Sequence, residues 1–386
     1  MGLVLFIIVR KHITKNPELT EHCNIKLSNS EGVNCMRKVY VCHQYYEPSH
    51  FKALYECAQE HGYQIMDLIV LNPRSAVSHR NKLIEQVGLK IADEWYQNNF
   101  INQGKLWLLK DEIIIVGIAP YDRLLAQYQG VLAQNHSIYM TSWTDWHSGN
   151  VPYPYQDNKA GFMETLTNDI DGVACVSGKT EKEISSWKSV TQVVNHAIDT
   201  GTYAKKTDYT RKGRYIYLGR LVEEKNIRAI VDYMKSHPGK EMKVDFAGDG
   251  GLRESLERYA TQDSRICLLG QLSKEEIKAR LKDYDYLILP SFHELFGIVL
   301  LEALASGVPC IVSNAAGPIE VISHNNTGIV FRLEDKDGFD RAMDYSLELS
   351  DSLYETMCKN AISESRKYDC SEVVKKWVNL FERVCV

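Results

Sequence analysis

The chain has 386 residues, 44% of them hydrophobic and 25% charged, and a formal net charge of -5. That length exceeds one ordinary core and predicts two domains of similar size. A mixed composition with a slight acidic excess excludes a disordered tract and excludes polyanion binding as the main task, so no nucleic-acid partner is expected.

The apolar stretch at residues 3–9 reads as a first β-strand. It falls far short of the roughly 20 residues that span a bilayer. No small-residue cleavage site follows Arg10-Lys11-His12, so no signal peptide is expected. Strands are then predicted at residues 38–42, 64–70, 112–116, 137–141 and 172–176, with helices near 49–60, 79–98, 121–133 and 179–187. This βαβα alternation implies a parallel sheet covered on both faces. Residues 143–158, rich in Trp, Tyr, Pro, Asp and His, read as a loop able to stack on and hydrogen-bond a carbohydrate or lipid-linked acceptor.

The pattern breaks at residues 199–212, and a second series begins at Tyr215. Strands at 215–218, 243–247, 266–269, 286–289, 310–312 and 329–331 alternate with helices at 226–236, 251–260, 274–281, 297–305 and 317–322. The fold class is therefore α/β, with two Rossmann-like doubly wound domains at residues 1–205 and 206–368. Residues 369–386 form a last helix with apolar residues Val373, Val374, Trp377, Val378, Leu380, Phe381 and Val384 at helical spacing. It either crosses back to the first domain or packs on its own sheet.

Ten scattered cysteines, without a C-x-x-C pair, read as reduced thiols of a cytosolic protein. Cys42, Cys175, Cys267 and Cys310 lie in apolar strand-like runs and are expected to pack as small hydrophobes.

Four candidate spots fall at the carboxyl ends of strands in the second half, where open α/β sheets bind ligands. After Leu218-Gly219, Arg220 and Lys225 can neutralise a diphosphate, or simply pair with Glu223 and Glu224 on a solvated loop. Gly248-Asp249-Gly250-Gly251 is a turn that lets backbone approach a ligand. In Leu269-Gly270-Gln271-Leu272-Ser273, the serine can cap the next helix and the exposed backbone can read a base edge. The fourth spot holds Glu294 and Glu302, with seven residues between them. A glutamate within an apolar helix is costly unless bonded, and one at a helix entrance sits beside free N–H groups. The pair suits a polyhydroxylated anionic ligand; equally, Glu302 can tie down a loop and Glu294 can cap the helix. Gly172 to Thr180 imitates a phosphate loop, but five residues rather than four separate its glycines, so Ser177 and Lys179 are expected to start an ordinary helix.

In order and spacing, Gly219-Arg220-Leu221, Glu224-Lys225-Asn226, Gly248-Asp249-Gly250, Leu269-Gly270, Glu294-Leu295-Phe296-Gly297, Glu302-Ala303, Ala305 to Pro309 and Gly317 to Ile322 carry one likeness, joined weakly by Val194 to Asp199. The chain resembles the retaining nucleotide-sugar glycosyltransferases of the GT-B fold, particularly glycosyltransferase family 4. The resemblance implies that Arg220 and Lys225 hold the donor diphosphate, that Glu302 bonds the ribose and that Glu294 lies against the donor sugar. The backbone N–H groups of Phe296 and Gly297 would reach the sugar or phosphate, while Gly219, Gly248, Leu269, Gly270, Gln271 and Leu295 line the donor pocket. It further implies a UDP-sugar or GDP-sugar donor, no cofactor, no required metal, and a glycan, lipid-linked or glycoprotein acceptor bound by the first domain. A cytoplasmic place follows, possible at the inner face of a membrane through peripheral contact.

The first half departs from the family. Where a Gly-rich loop is usual, this chain has His43 to Phe51, in which His50 can meet donor or acceptor and Ser49 can simply cap a helix. Where the family often has a histidine after a middle strand, Trp143 takes the place, with Asp145 or His147 as polar substitutes. These departures keep two other expectations open: a nucleotide-sugar epimerase, and a non-catalytic partner subunit of another transferase. Oligomeric state is not legible.

Overall fold

The computed structural model describes residues 36–43, 51–70, 108–117, 125–126, 128–141, 159–315 and 317–385. The expected strand at 3–9, the helix at 79–98 and the aromatic loop at 143–158 lie outside them.

In the first half, β1 (Arg37–His43), α1 (Lys52–Cys57), β2 (Tyr63–Val70), β3 (Ile113–Gly117), α2 (Gln129–Leu132), β4 (His136–Thr141), α3 (Lys159–Asn168), β5 (Gly172–Cys175), α4 (Gly178–Ile184) and β6 (Thr191–Val193) follow in turn. The six strands are parallel in the order β2-β1-β3-β4-β5-β6. Runs such as Ile113-Ile114-Ile115-Val116 are buried throughout, because both faces of a parallel sheet are covered.

The second half comprises β7 (Arg214–Leu218), α5 (Ile227–Ser236), β8 (Lys243–Ala247), α6 (Arg253–Gln262), β9 (Ile266–Gly270), α7 (Lys274–Arg280), β10 (Tyr286–Leu289), α8 (Ile298–Ala305), β11 (Cys310–Ser313), α9 (Pro318–Val321), β12 (Gly328–Phe331), α10 (Gly338–Glu348) and α11 (Asp351–Ser365). Its parallel sheet runs β12-β11-β10-β7-β8-β9, so the winding direction reverses between β7 and β10. A crevice opens at the carboxyl ends of those two strands, and the loops after them are the ones that hold Arg220, Lys225 and Glu294.

The last helix, α12 (Cys370–Val384), returns to the first sheet. Val373, Val374, Trp377, Leu380, Phe381 and Val384 are buried with Val39, Val41, Phe51 and Met140, and the Trp377 ring lies 6.1 Å from that of Phe51. The crossing is pinned where the chain first leaves the first sheet. Ile198 N donates to Tyr368 O at 3.0 Å, Cys370 N donates to Ile198 O at 3.1 Å, and Asp369 caps α12 through Ser371 N.

Three helices (α3, α10 and α11) and strand β6 are not expected from the sequence. β6 has three residues, all half-buried, too few for a period to show. Cys42, Cys175 and Cys310 are buried as expected, but Cys267 is exposed. It sits on β9, an edge strand of the sheet, where one face and the rim meet solvent. Among the described residues no helix is long and apolar enough to cross a membrane.

Candidate functional site

The floor of the crevice is backbone. Gly219 N donates to Ala247 O at 3.0 Å, Gly248 N to Gly270 O at 2.7 Å and Leu221 N to Asp249 O at 2.9 Å, lacing together the turns after β7, β8 and β9. Gly248 has φ +145, and a Cβ there would collide with the carbonyl oxygen of Gly219, so no side chain fits.

A second set of bonds joins the two strand ends that flank the crevice. Asn226, with φ 52, donates its side-chain amide to Pro290 O at 3.1 Å, and Phe292 N donates to Glu224 O at 3.0 Å. This brings Lys225 Nζ to 2.9 Å from Glu294 Oε2, with a weaker bond to His293 O at 3.4 Å. Both side chains are largely buried, at 11% and 15% exposure, whereas Arg220 is 67% exposed and, among the described residues, is paired with Glu224 alone, at 3.8 Å. The two cations therefore differ. Lys225 is held by Glu294, with Glu224 Oε1 a further 3.8 Å away, while Arg220 is a solvated fork.

Glu294 stands before α8. Its Oε1 accepts from Leu295 N at 3.1 Å and its carbonyl accepts from Gly317 N at 3.1 Å. The N–H groups of Phe296 and Gly297, just before α8, make no hydrogen bond among the described residues, which leaves donors at the positive helix end. Glu302, within α8, accepts from the Tyr203 hydroxyl at 3.1 Å. Burial pushes its carboxyl above the usual range, against the pull of that hydroxyl. The same burial, with the Glu302 charge beside it, raises Tyr203.

Gly219, Gly248, Leu269, Gly270 and Gln271 all lie at the ends of β7, β8 and β9, and Leu295 is partly exposed between Glu294 and α8. Ser273 caps α7 in a reciprocal capping box with Glu276. His50, Trp143, Asp145 and His147 lie outside the described residues.

The segment that imitates a phosphate loop starts a helix, as expected: Ser177 caps α4 through Thr180 N, and the N–H groups of Gly178 and Lys179 donate to the Glu320 carboxylate. Tyr203 on Glu302 escapes sequence reasoning, while His196, with its ring edge-on to Phe296 at 5.3 Å, and Glu320 fall in segments that carry the resemblance but gain a contact only in the fold. Their partners lie about a hundred or more residues away in the chain, and no local pattern announces the contacts.

Asp-x-Asp triplets occur at residues 169–171, 283–285 and 335–337. The first two precede β5 and β10, at the opposite sheet ends from the crevice, where Asp171 accepts from Ser137 N and Asp285 from Lys212 N and Arg214 N; Asp335 pairs with Arg341. None enters the crevice between β7 and β10, so their presence carries no argument about a metal there.

Residues 202–364 match the family "Glycosyl transferases group 1". The chain is 29% identical over 192 residues to a 2-deoxystreptamine N-acetyl-D-glucosaminyltransferase of Niallia circulans, covering 48% of this chain and 47% of that protein. It is 27% identical over 230 residues to the glycogen synthase of Mycobacterium tuberculosis, covering 55% of each. The chain thus spans about half the length of the curated relatives it matches. In fold, it is similar to Anabaena Alr3699/HepE solved with UDP (TM-score 0.67, 14% identity, 89% of this chain and 99% of that one). Sucrose-phosphate synthase of Thermosynechococcus elongatus gives a TM-score of 0.65 at 14% identity, over 90% and 99%. Two parallel six-stranded sheets with the switch point between β7 and β10 are thus a GT-B arrangement, and the part of the chain that builds that switch point is the part that matches the group 1 glycosyl transferases.

Proposed function

We propose that this protein is a retaining glycosyltransferase that moves a sugar from a nucleoside diphosphate sugar to a hydroxyl of a glycan, lipid-linked saccharide or glycoprotein. The observation that carries the reading is the Lys225–Glu294 pair at 2.9 Å, set at the switch point of the second sheet beside the open N-terminal end of α8. When the bond from the sugar C1 to the phosphate oxygen breaks, negative charge grows on the departing diphosphate. Arg220, Lys225 and the N–H groups of Phe296 and Gly297 stand where such charge is best stabilised. Glu294 orients Lys225 and meets the sugar, and Glu302 accepts from the ribose hydroxyls. The acceptor proton goes to the leaving phosphate oxygen on the same face, which keeps the anomeric configuration.

Uridine is the favoured base, because structural neighbours were solved with UDP. The cationic fork and helix end would let the reaction proceed without a metal. The thiols of the described residues are free, which favours a cytoplasmic place. The first test is a thermal-shift panel of UDP, GDP, ADP and their sugar conjugates, each with Mg²⁺ or EDTA. A donor at about 100 times its Kd adds roughly 2.7 kcal/mol, enough to stand out. A shift from one base that survives EDTA supports the proposal. Loss of the shift in EDTA would overturn its metal-independent part, and no shift with any nucleotide would overturn the donor site. Sugar conversion without transfer would make the protein an epimerase, and binding without turnover, even with a matched acceptor, a non-catalytic partner subunit.

A further inference from the structure

The short segment from Gly317 to Glu320 touches both halves of the molecule. At its start, Gly317 N donates to Glu294 O at 3.1 Å, and a Cβ on Gly317 would stand only 2.5 Å from Phe296 N. At its end, the Glu320 carboxylate accepts from Gly178 N and Lys179 N, each at 2.8 Å, and its carbonyl accepts from the Tyr368 hydroxyl at 3.2 Å. Between the two ends lies the first turn of α9, stiffened by Pro318.

The start of α4 divides its donors between the two halves. Ser177 of the same half takes Thr180 N and Glu181 N, and Glu320 of the other half takes Gly178 N and Lys179 N. Two charge-assisted bonds at the positive end of a helix are stronger and more directional than ordinary surface contacts. A second contact runs the same way: His196, on the chain leaving the first sheet, packs edge-on against Phe296, and Tyr368 packs on the same ring at 6.0 Å.

We infer that Glu320 is a positioning residue: it clamps α4 of the first half to the segment carrying Glu294, so the arrangement of the two sheets sets where the Lys225–Glu294 pair stands. This rests on the reading of that pair as part of the donor site. The phosphate-loop look-alike acquires a use here, as the socket for a carboxylate from the opposite half. Releasing the clamp leaves the second half able to bind nucleotide and loosens the brace behind Glu294.

The test compares the full chain with Glu320→Ala and Glu320→Gln by hydrogen–deuterium exchange, together with transfer kinetics. In Glu320→Ala, exchange is expected to rise about tenfold both at residues 177–181 and at 292–297. Glu320→Gln, whose amide oxygen still accepts, falls between and keeps the comparison if the alanine variant does not fold. A rise at 177–181 alone would reduce Glu320 to a local cap and overturn the inference. In the assay kcat drops about tenfold while KM for the donor stays within about twofold; an unchanged kcat, or a KM rising as kcat falls, would equally overturn it. If the wild-type chain transfers nothing, the exchange data still decide the clamp, and the failure belongs to the donor reading.

Discussion

The two halves share a layer plan and differ in how they close their cores. In the second half one continuous core joins β7 through β12 to the helices between and after them, almost wholly from its own residues. Among the described residues the first sheet has two separate cores. One face is filled by α2, α3 and neighbouring residues of the same half, the other by Phe51 and α1 together with α12 from the far end of the chain. Among the described residues the second half is therefore self-sufficient, whereas the first takes part of its seal from α12, and that helix is one of the ties between the halves.

The sharpest way to break that contrast is to remove Trp377, which is 1% exposed between the first sheet and α1. Trp377→Ala should cost about 3–5 kcal/mol, the range for deleting a large buried aromatic. Peptides of β1, β3 and β4 are expected to lose exchange protection while those of β7, β8 and β10 keep theirs, with nucleotide still raising the Tm of the second half. Equal loss in both halves would show that the molecule closes as one unit.

Glu294→Gln tests the self-sufficient half at its site. The variant removes the charge that holds Lys225 and the group set against the donor sugar, so kcat should fall by well over tenfold, on the order of 10². Arg220→Ala follows, with a loss in kcat also above about tenfold, yet stability within about 0.5 kcal/mol of wild type because the side chain is solvated and weakly paired. Near-normal turnover in both variants, measured by nucleotide release, would remove the donor assignment.

The contrast between the halves also explains what can be read from the residues. Five of the six strands of the second sheet are legible because the apolar run stops at a glycine, proline or serine, as at Leu218-Gly219 and Leu289-Pro290-Ser291, and β12 because its run stops at Arg332. The spots that line the crevice are legible too, since they fall at those same stops. Contacts made across the fold are not. Tyr203 reaches Glu302 and Glu320 reaches Gly178 through packing of separate elements, which no spacing along the chain encodes. Lys225 reads as a cation for phosphate, and its commitment to Glu294 emerges only when the β7 and β10 loops are laced by Asn226. The helices α10 and α11 escape notice because their apolar residues are interleaved with many acids and serines.

The smallest expected effect concerns Glu302, where stability and binding should respond to pH with opposite sign. Burial raises its carboxyl above the ordinary glutamate value of 4.5, so the neutral acid is the form the folded protein favours. Its contribution to stability is fully present below the unfolded value and is lost as pH rises through the raised folded one, at no more than about 1.4 kcal/mol for each tenfold weakening of the acid. Glu302→Gln should thus match or exceed wild type in Tm at neutral pH, and that advantage should shrink in mild acid. Nucleotide binding runs the other way. An ionised carboxylate accepts from two ribose hydroxyls better than a neutral acid, so wild-type affinity should rise as pH climbs through the same range, and Glu302→Gln should bind more weakly with a flat profile. Calorimetric titration of UDP between about pH 4 and 8 reads the binding slope, and thermal melts over the same range read the stability slope. A wild-type binding profile as flat as the variant's would leave Glu302 as the anchor of Tyr203 and take it out of the donor site.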